Sequence, residues 1–471
     1  MYTDLFKMCG FSPEDLDTQR SRIEKVLARI GVTTEADIRH AEETIRRNFE
    51  VDLEGVRDLL WVYMMEFLDV VLAKEEGKVF INAGFPNPVP FLMAAKLAAE
   101  EAGKKVYIGC ATQICYMMLG PVFGKINDLL ETGENLGMPA GRAHCSQHQI
   151  QAALYEKGIL PVPDLSLASG WFCDQAGEAE ELMSMLYDYE VSYLDGVNPC
   201  AWDAYPNLDD SSIKYAAARL KRSFERVEQV ADARITEEAL DKALNYLGGV
   251  TMEFQTLIEV VGKADPQPIS HANINLAFFL WIVPLRHMNE AYTGLKALIN
   301  DAQKRIDKGI GVVPKGAPKV FVGIRWVVDN APIKIIEDRG LSIAVMNMDT
   351  FSEAELVPSD YTDLYSLTVE GLFRRPQMSS ILGSIEYWKS LPEDWDLDGI
   401  LLFFQYSCRP WAIPPVMAKK GLQEALDIPV LVMEADPFDT RNYSVGQLKT
   451  RIESFAEVVK MHKVSKETTA T

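Results

Sequence analysis

Lys78-Val79-Phe80-Ile81-Asn82-Ala83-Gly84 reads as a β-strand ending in glycine, and Lys319-Val320-Phe321-Val322-Gly323 has the same form. Each opens a run in which strands and helices alternate. After the first come an Ala- and Leu-rich helix, Pro90–Ala102, and the strand Lys105–Gly109. Leu165–Ala168 and Val191–Leu194 are the next strands, with the helix Glu178–Tyr187 between them. After the second come the helix Pro332–Arg339, with Gly340 as its stop, and the strands Leu341–Met346, Ile400–Phe404 and Pro429–Met433. A last helix starts at Ser444, where Gln447 completes a capping-box pattern. Strands alternating with helices make βαβ units and a mostly parallel sheet.

Helical patterns flank and separate these runs. Thr34–Phe49 and Leu53–Leu72 precede the first. Between the runs lie Ser212–Val230, a helix capped by Thr236 and running through Leu247, a break at Lys263–Ser270 carrying Pro266 and Pro268, and the helix His287–Lys308. The expected fold is therefore α/β: two Rossmann-like domains with mostly parallel sheets, plus helical N-terminal and inter-domain segments. The boundaries are 1–75 (helical), 76–208 (first α/β domain), 209–313 (helical connector) and 314–471 (second α/β domain). The similar form of the two runs raises a diverged duplication, which residue identity does not demonstrate.

The chain has 471 residues and a net charge of −21, which argues against nucleic acid and against an anionic membrane surface as partners. Ile274–Leu285 is the most apolar stretch; it is too short to span a bilayer, is interrupted by Pro284, and reads as buried helix. Met1–Lys7 lacks a basic segment followed by an apolar run, so a cytoplasmic chain is expected. The polar, Thr-rich tail Lys463–Thr471 is the one segment expected to be disordered. No Gly-x-x-x-x-Gly-Lys-[Ser/Thr] loop is present, so ATP use by this chain itself is not expected.

Chemistry is sought among the seven cysteines: Cys9, Cys110, Cys115, Cys145, Cys173, Cys200 and Cys408. An odd number in such a chain is not a disulfide framework. Ligands of open α/β sheets bind beyond the carboxyl ends of the strands. Cys173 follows one strand in Gly170-Trp171-Phe172-Cys173-Asp174, and Cys408 follows another in Gln405-Tyr406-Ser407-Cys408-Arg409. Cys145 stands at a helix start in Gly141-Arg142-Ala143-His144-Cys145-Ser146, where exposed N–H groups favour thiolate. Three thiolates from separated segments meet only if the two α/β domains face each other, and they then suit an iron–sulfur cluster or zinc. Free core cysteines and a redox thiol stay open on the residues alone. A zinc site using His144 or His148 lacks paired C-x-x-C spacing downstream. Cys110 and Cys115 are extra candidates for the site, Cys200 has no role, and Glu434, Asp436, Asp439 and Arg441 form a charged turn.

Cys145-Ser146, Cys173-Asp174 and Ser407-Cys408-Arg409, followed by Ile428–Asn442 and Gln447–Glu453, resemble the iron–sulfur D-component subunits of the 2-hydroxyacyl-CoA dehydratase and benzoyl-CoA reductase family. The resemblance spans roughly residues 76 to 460. It implies a [4Fe-4S] cluster on Cys145, Cys173 and Cys408 with one iron left open, or a larger or second cluster if Cys110 and Cys115 join. It also implies an oxygen-sensitive enzyme acting on an acyl-CoA, a related second subunit or homodimer, and a separate ATP-hydrolysing iron–sulfur activator. The reaction implied first is 2-hydroxyacyl-CoA dehydration through a ketyl radical. ATP-dependent reduction of a benzoyl-CoA-type substrate is the alternative, and a subunit that only transfers electrons is the third. His144 and Glu434 are weak catalytic candidates. The first helical stretch and the loop Tyr116–Arg142 match nothing in the family pattern, so substrate contacts do not transfer.

Overall fold

A computed structural model describes residues 1–138, 144–196, 207–376 and 381–469. It contains two four-stranded, wholly parallel sheets. The first is built from β1 (Val79–Ala83), β2 (Val106–Gly109), β3 (Leu165–Ser169) and β4 (Glu190–Leu194), in the order β2-β1-β3-β4. The second is built from β5 (Lys319–Val322), β6 (Ser342–Met346), β7 (Gly399–Phe404) and β8 (Val430–Glu434), in the order β6-β5-β7-β8. The two sheets thus share one topology, as the similar form of their opening strands suggested. Every strand lies within one residue of its sequence reading. The central strand β3 is buried along its whole length, and so is the edge strand β6, as expected of parallel strands covered on both faces.

The helical segments bind the lobes together. The helix Glu54–Val71 packs along Met288–Asp307, so the N-terminal segment and the connector form one layer. They meet backbone to backbone at Gly55, where an added Cβ would lie 2.2 Å from the Leu298 nitrogen. Thr236 caps its helix as expected, accepting from the Ala239 N–H, but that helix continues through Gly248-Gly249 to Lys263. The weak helix propensity of two glycines is overridden by packing: this helix lies on Val89–Glu101 of the first lobe and on β6 of the second. The helix Leu364–Phe373 packs on Asp210–Ala231, and Tyr365 stacks on Phe91 at 4.6 Å. A contiguous apolar core accordingly runs from Leu5 to Val459.

Three local readings change. The apolar stretch expected to be one helix is helical over His271–Phe278, tightens to a 3-10 turn at Phe279–Trp281, and is irregular before Pro284. The segment after Tyr116 contains the end of the helix Ala111–Leu119 and the helix Ile126–Asn135. The tail expected to be disordered is helix through Thr469, because Val459 and the residues before it anchor Val445–Thr469 on the second lobe. Among the described residues no helix is long and apolar enough to cross a membrane.

The glycines give a paired stability test. Gly55→Ala forces two helices apart and is expected to lower stability by about 1–3 kcal/mol. Gly248→Ala, exposed in mid-helix with no neighbour within 4 Å of the new methyl, is expected to raise it by about 0.5–1 kcal/mol. Denaturant midpoints of the two variants, moving in opposite directions from the wild type, check both.

Candidate functional site

The carboxyl ends of both sheets meet at a cleft of about 200 Å³. Phe85 beyond β1, Ser169 at the end of β3, Arg325 beyond β5, Met348 beyond β6 and Gln405 after β7 all line it. Cys145, Cys173 and Cys408 line it with them, each half-buried. The three thiols therefore reach one space from three segments, as the facing of two α/β domains requires.

Each of the three is the residue that opens a helix. Cys145 precedes Ser146–Glu156, Cys173 precedes Asp174–Tyr187, and Cys408 precedes the short helix Arg409–Ala412. The first backbone N–H groups of a helix have no partner inside it. Here the N–H of His148 bonds the Cys145 carbonyl at 3.0 Å, that of Ala176 the Cys173 carbonyl at 3.3 Å and that of Trp411 the Cys408 carbonyl at 3.1 Å, and each sulfur lies beside its helix N-terminus without accepting a capping hydrogen bond. These dipoles favour thiolate. Burial opposes them and wins, pushing the Cys145 and Cys173 thiols up to about 11 each. Cys408 is raised further by burial and by the charges that Cys145 and Cys173 would carry. Three crowded sulfurs thus keep their protons at neutral pH.

A buried carboxylate holds two of these loops in register. Asp436, two residues beyond β8, accepts from the Ser146 hydroxyl at 2.6 Å and from the Ser407 hydroxyl at 2.7 Å on one oxygen. Its other oxygen accepts from Gln405 Nε2 at 3.2 Å and from the Phe438 N–H at 2.9 Å. Ser146 adjoins Cys145 and Ser407 adjoins Cys408, so one side chain joins cysteine loops from opposite lobes. The third loop is tied from outside: Arg409 pairs with Asp174, the neighbour of Cys173. The residues beside the cysteines are therefore the ones that fasten the three loops together.

Other groups in the lining are polar but not free. His148 Nδ1 lies 3.6 Å from Cys145 Sγ, and burial lowers its pKa to about 4, so it is neutral at pH 7. Glu180 accepts from Gln151 Nε2 and from the Tyr189 hydroxyl, both at 2.9 Å. Arg325 is paired with the buried Asp349. No local pattern marks Glu180 or Gln151 in the sequence; they reach the cleft because their helices start at cysteines.

Several candidates stand elsewhere. Cys110 and Cys115 are wholly buried outside the cleft lining, and burial raises both thiols strongly. Cys110 accepts from Asn87 Nδ2 at 3.0 Å. His144 is buried but does not line the cleft, and Glu434 is exposed away from it. Arg441 bonds Asp439 and, at 2.8 Å, Glu134, tying the second lobe to Ile126–Asn135. Cys200 and the Gly141-Arg142-Ala143 approach to Cys145 lie outside the described residues.

The chain is similar to known proteins over most of its length. The family described as "2-hydroxyglutaryl-CoA dehydratase, D-component" matches residues 88–459. The (R)-2-hydroxyglutaryl-CoA dehydratase subunit alpha of Acidaminococcus fermentans is 20% identical over 310 residues, which are 65% of this chain and 62% of that protein. The (R)-phenyllactyl-CoA dehydratase alpha subunit of Clostridium sporogenes is 20% identical over 304 residues, 64% of this chain and 72% of that protein.

The Asp436 bonds are buried and the Arg409–Asp174 pair is exposed, so their strengths should differ. A double-mutant cycle of Asp436→Ala with Ser407→Ala is expected to give a coupling of about 1.5–3 kcal/mol. The cycle of Arg409→Ala with Asp174→Ala should give about 0.2–1 kcal/mol and fade with added salt. Denaturation midpoints at two ionic strengths measure both.

Proposed function

The chain belongs to the 2-hydroxyglutaryl-CoA dehydratase D-component family, and from that premise we propose that it is the iron–sulfur subunit of a 2-hydroxyacyl-CoA dehydratase. The observation that carries the proposal is the cleft itself: three thiols on three helix N-termini, drawn to one space by Asp436 and Arg409. Among the described residues no three His, Cys, Asp or Glu side chains close around a single ion. That disfavours a single zinc ion, and a set of three thiols has the soft ligand chemistry that suits an iron–sulfur cluster. A cluster bound there would supply one low-potential electron to an acyl-CoA thioester.

The protein's own groups do the rest. Dehydration breaks the C2–O bond and a C3–H bond, forms the C2=C3 bond and releases water; the electron is returned, so there is no net oxidation. Glu180 and neutral His148 are the cleft groups suited to accept the C3 proton, and whichever takes it then carries the proton that the departing hydroxide needs to leave as water. The apolar lining, with Phe85, Phe172 and Trp411, keeps water from the reacting centre. A cleft that leads to the thiols favours catalysis in place over an electron-transfer subunit sealed from substrate. The relatives are named as alpha subunits, which supports a second subunit beside this one. The absence of a phosphate-binding loop in this chain supports a separate ATP-hydrolysing activator.

The test is anaerobic turnover of the chain assembled with its second subunit, activator, ATP and a set of acyl-CoA esters. A 2-enoyl-CoA product from a 2-hydroxyacyl-CoA is expected. Ring reduction of benzoyl-CoA without dehydration would replace this reading with the reductase one. In the same assay Glu180→Gln should lower kcat by about 10²–10⁴ with metal content unchanged.

A further inference from the structure

A second cavity, of about 330 Å³, adjoins the cysteine cleft and shares Phe85 and Met348 with it. Its walls are apolar and aromatic: Val89, Leu247, Trp281, Ile282, Phe351 and Leu372 are among them. Its ionisable groups among the described residues are Glu355 and Arg375. These two form an ion pair, with Arg375 Nε 3.4 Å from the Glu355 carboxylate and the guanidinium 4.4 Å from the centre of the Trp281 ring. Among the described residues, no cation without an acidic partner therefore lines this space.

Met348 stands where the two cavities meet, and it does so in a backbone conformation that bulky residues avoid, with φ +67°. The conformation is imposed by its neighbour. Asp349 accepts from the Met346 N–H at 2.6 Å and is fixed by Arg325, so the chain must turn between them. Strain of this kind persists where the surroundings over-determine it, and it concentrates at binding sites. Here it holds a flexible, apolar side chain at the opening between a chemical chamber and an apolar one.

We propose that the second cavity receives the distal part of the acyl group, so that the substrate carries an aryl or branched alkyl side chain rather than a second carboxylate. The inference rests on the acyl-CoA reading above. With the thioester at the cysteines, the substituent on the far side of the reacting carbons reaches past Met348. A carboxylate entering there would lose its water and stand beside the Glu355 carboxylate, with the one lining cation among the described residues already paired to that acid, which is costly. An apolar substituent meets apolar walls and gains from burial. The phosphates of coenzyme A are unsuited to the same cavity for the same reason.

Gly371 provides the variant. It lines the cavity on the helix Leu364–Phe373, is exposed, and a Cβ there meets nothing within 4 Å, so Gly371→Trp adds a bulky ring at the cavity with no clash at its Cβ. The experiment is anaerobic titration calorimetry of the assembled enzyme with phenyllactyl-CoA, 2-hydroxyglutaryl-CoA and coenzyme A. Wild type is expected to bind phenyllactyl-CoA at least about tenfold more tightly than 2-hydroxyglutaryl-CoA. Gly371→Trp is expected to weaken phenyllactyl-CoA by about tenfold and to leave coenzyme A unchanged. Equal weakening of all three probes would assign the cavity to the coenzyme arm and overturn the inference. Unchanged binding in Gly371→Trp, or a wild-type preference for 2-hydroxyglutaryl-CoA, would overturn it as well. Failure of wild type to bind any of the three would instead remove the acyl-CoA reading, and this inference with it.

Discussion

Asp436 is a carboxylate placed where there is almost no water, and it is accommodated only because hydrogen-bond donors surround it. Leaving such a group unpaired costs far more than any one of its bonds contributes. One donor, Ser146, comes from the first lobe, and Ser407, Gln405 and Phe438 come from the second. The carboxylate is satisfied only when the lobes close in one register, and in that register Cys145 and Cys408 share a space. The exposed pair of Arg409 with Asp174 adds the Cys173 loop to the same closure, more weakly because water competes for both charges. Each cysteine is thus positioned through the residue next to it.

That closure makes use of a doubled architecture. Both sheets have one strand order, and both present their carboxyl ends to the interface. Strands end, chains turn, and helices begin there, so unpaired N–H groups accumulate on both sides of one cleft. Sulfur at these helix starts is held by dipoles that favour a negative ligand, while burial and crowding disfavour three negative charges at once. The cluster proposed above would resolve this conflict by carrying positive charge into the cleft. The same geometry leaves an approach on the side of Phe85 and Met348, where a second, uncharged chamber begins.

The fold was legible because its strands are short apolar runs with sharp ends. Val79–Ala83 and Lys319–Val322 are bounded by glycine, and the capping signal at Thr236 was correct. The sequence was misleading where long-range packing outweighs local preference. The helix from Glu237 passes two glycines because it is clamped between both lobes, and the tail stays helical because its earlier turns are anchored. At the site, the positions of Cys145, Cys173 and Cys408 at chain turns were visible. The purpose of their neighbours was not, because Ser146, Asp174 and Arg409 act on partners more than two hundred residues away, and Ser407 on Asp436, 29 residues on and beyond the next strand. Asp436 read as one acid among several in a charged turn; its burial, which sets it apart from exposed Glu434, is a property of the closed lobes. Cys110 follows a strand as Cys173 does, yet its helix turns into the core.

The central claim is that Cys145, Cys173 and Cys408 hold one iron–sulfur cluster in this cleft. Anaerobic counting of iron and sulfide, with EPR of the reduced protein, tests it on the wild type, Cys408→Ser and Cys110→Ser. The account predicts about four iron and four sulfide per chain in the wild type, the same in Cys110→Ser, and loss of most of both with the EPR signal in Cys408→Ser. Full iron and sulfide with an unaltered signal in Cys408→Ser would contradict it.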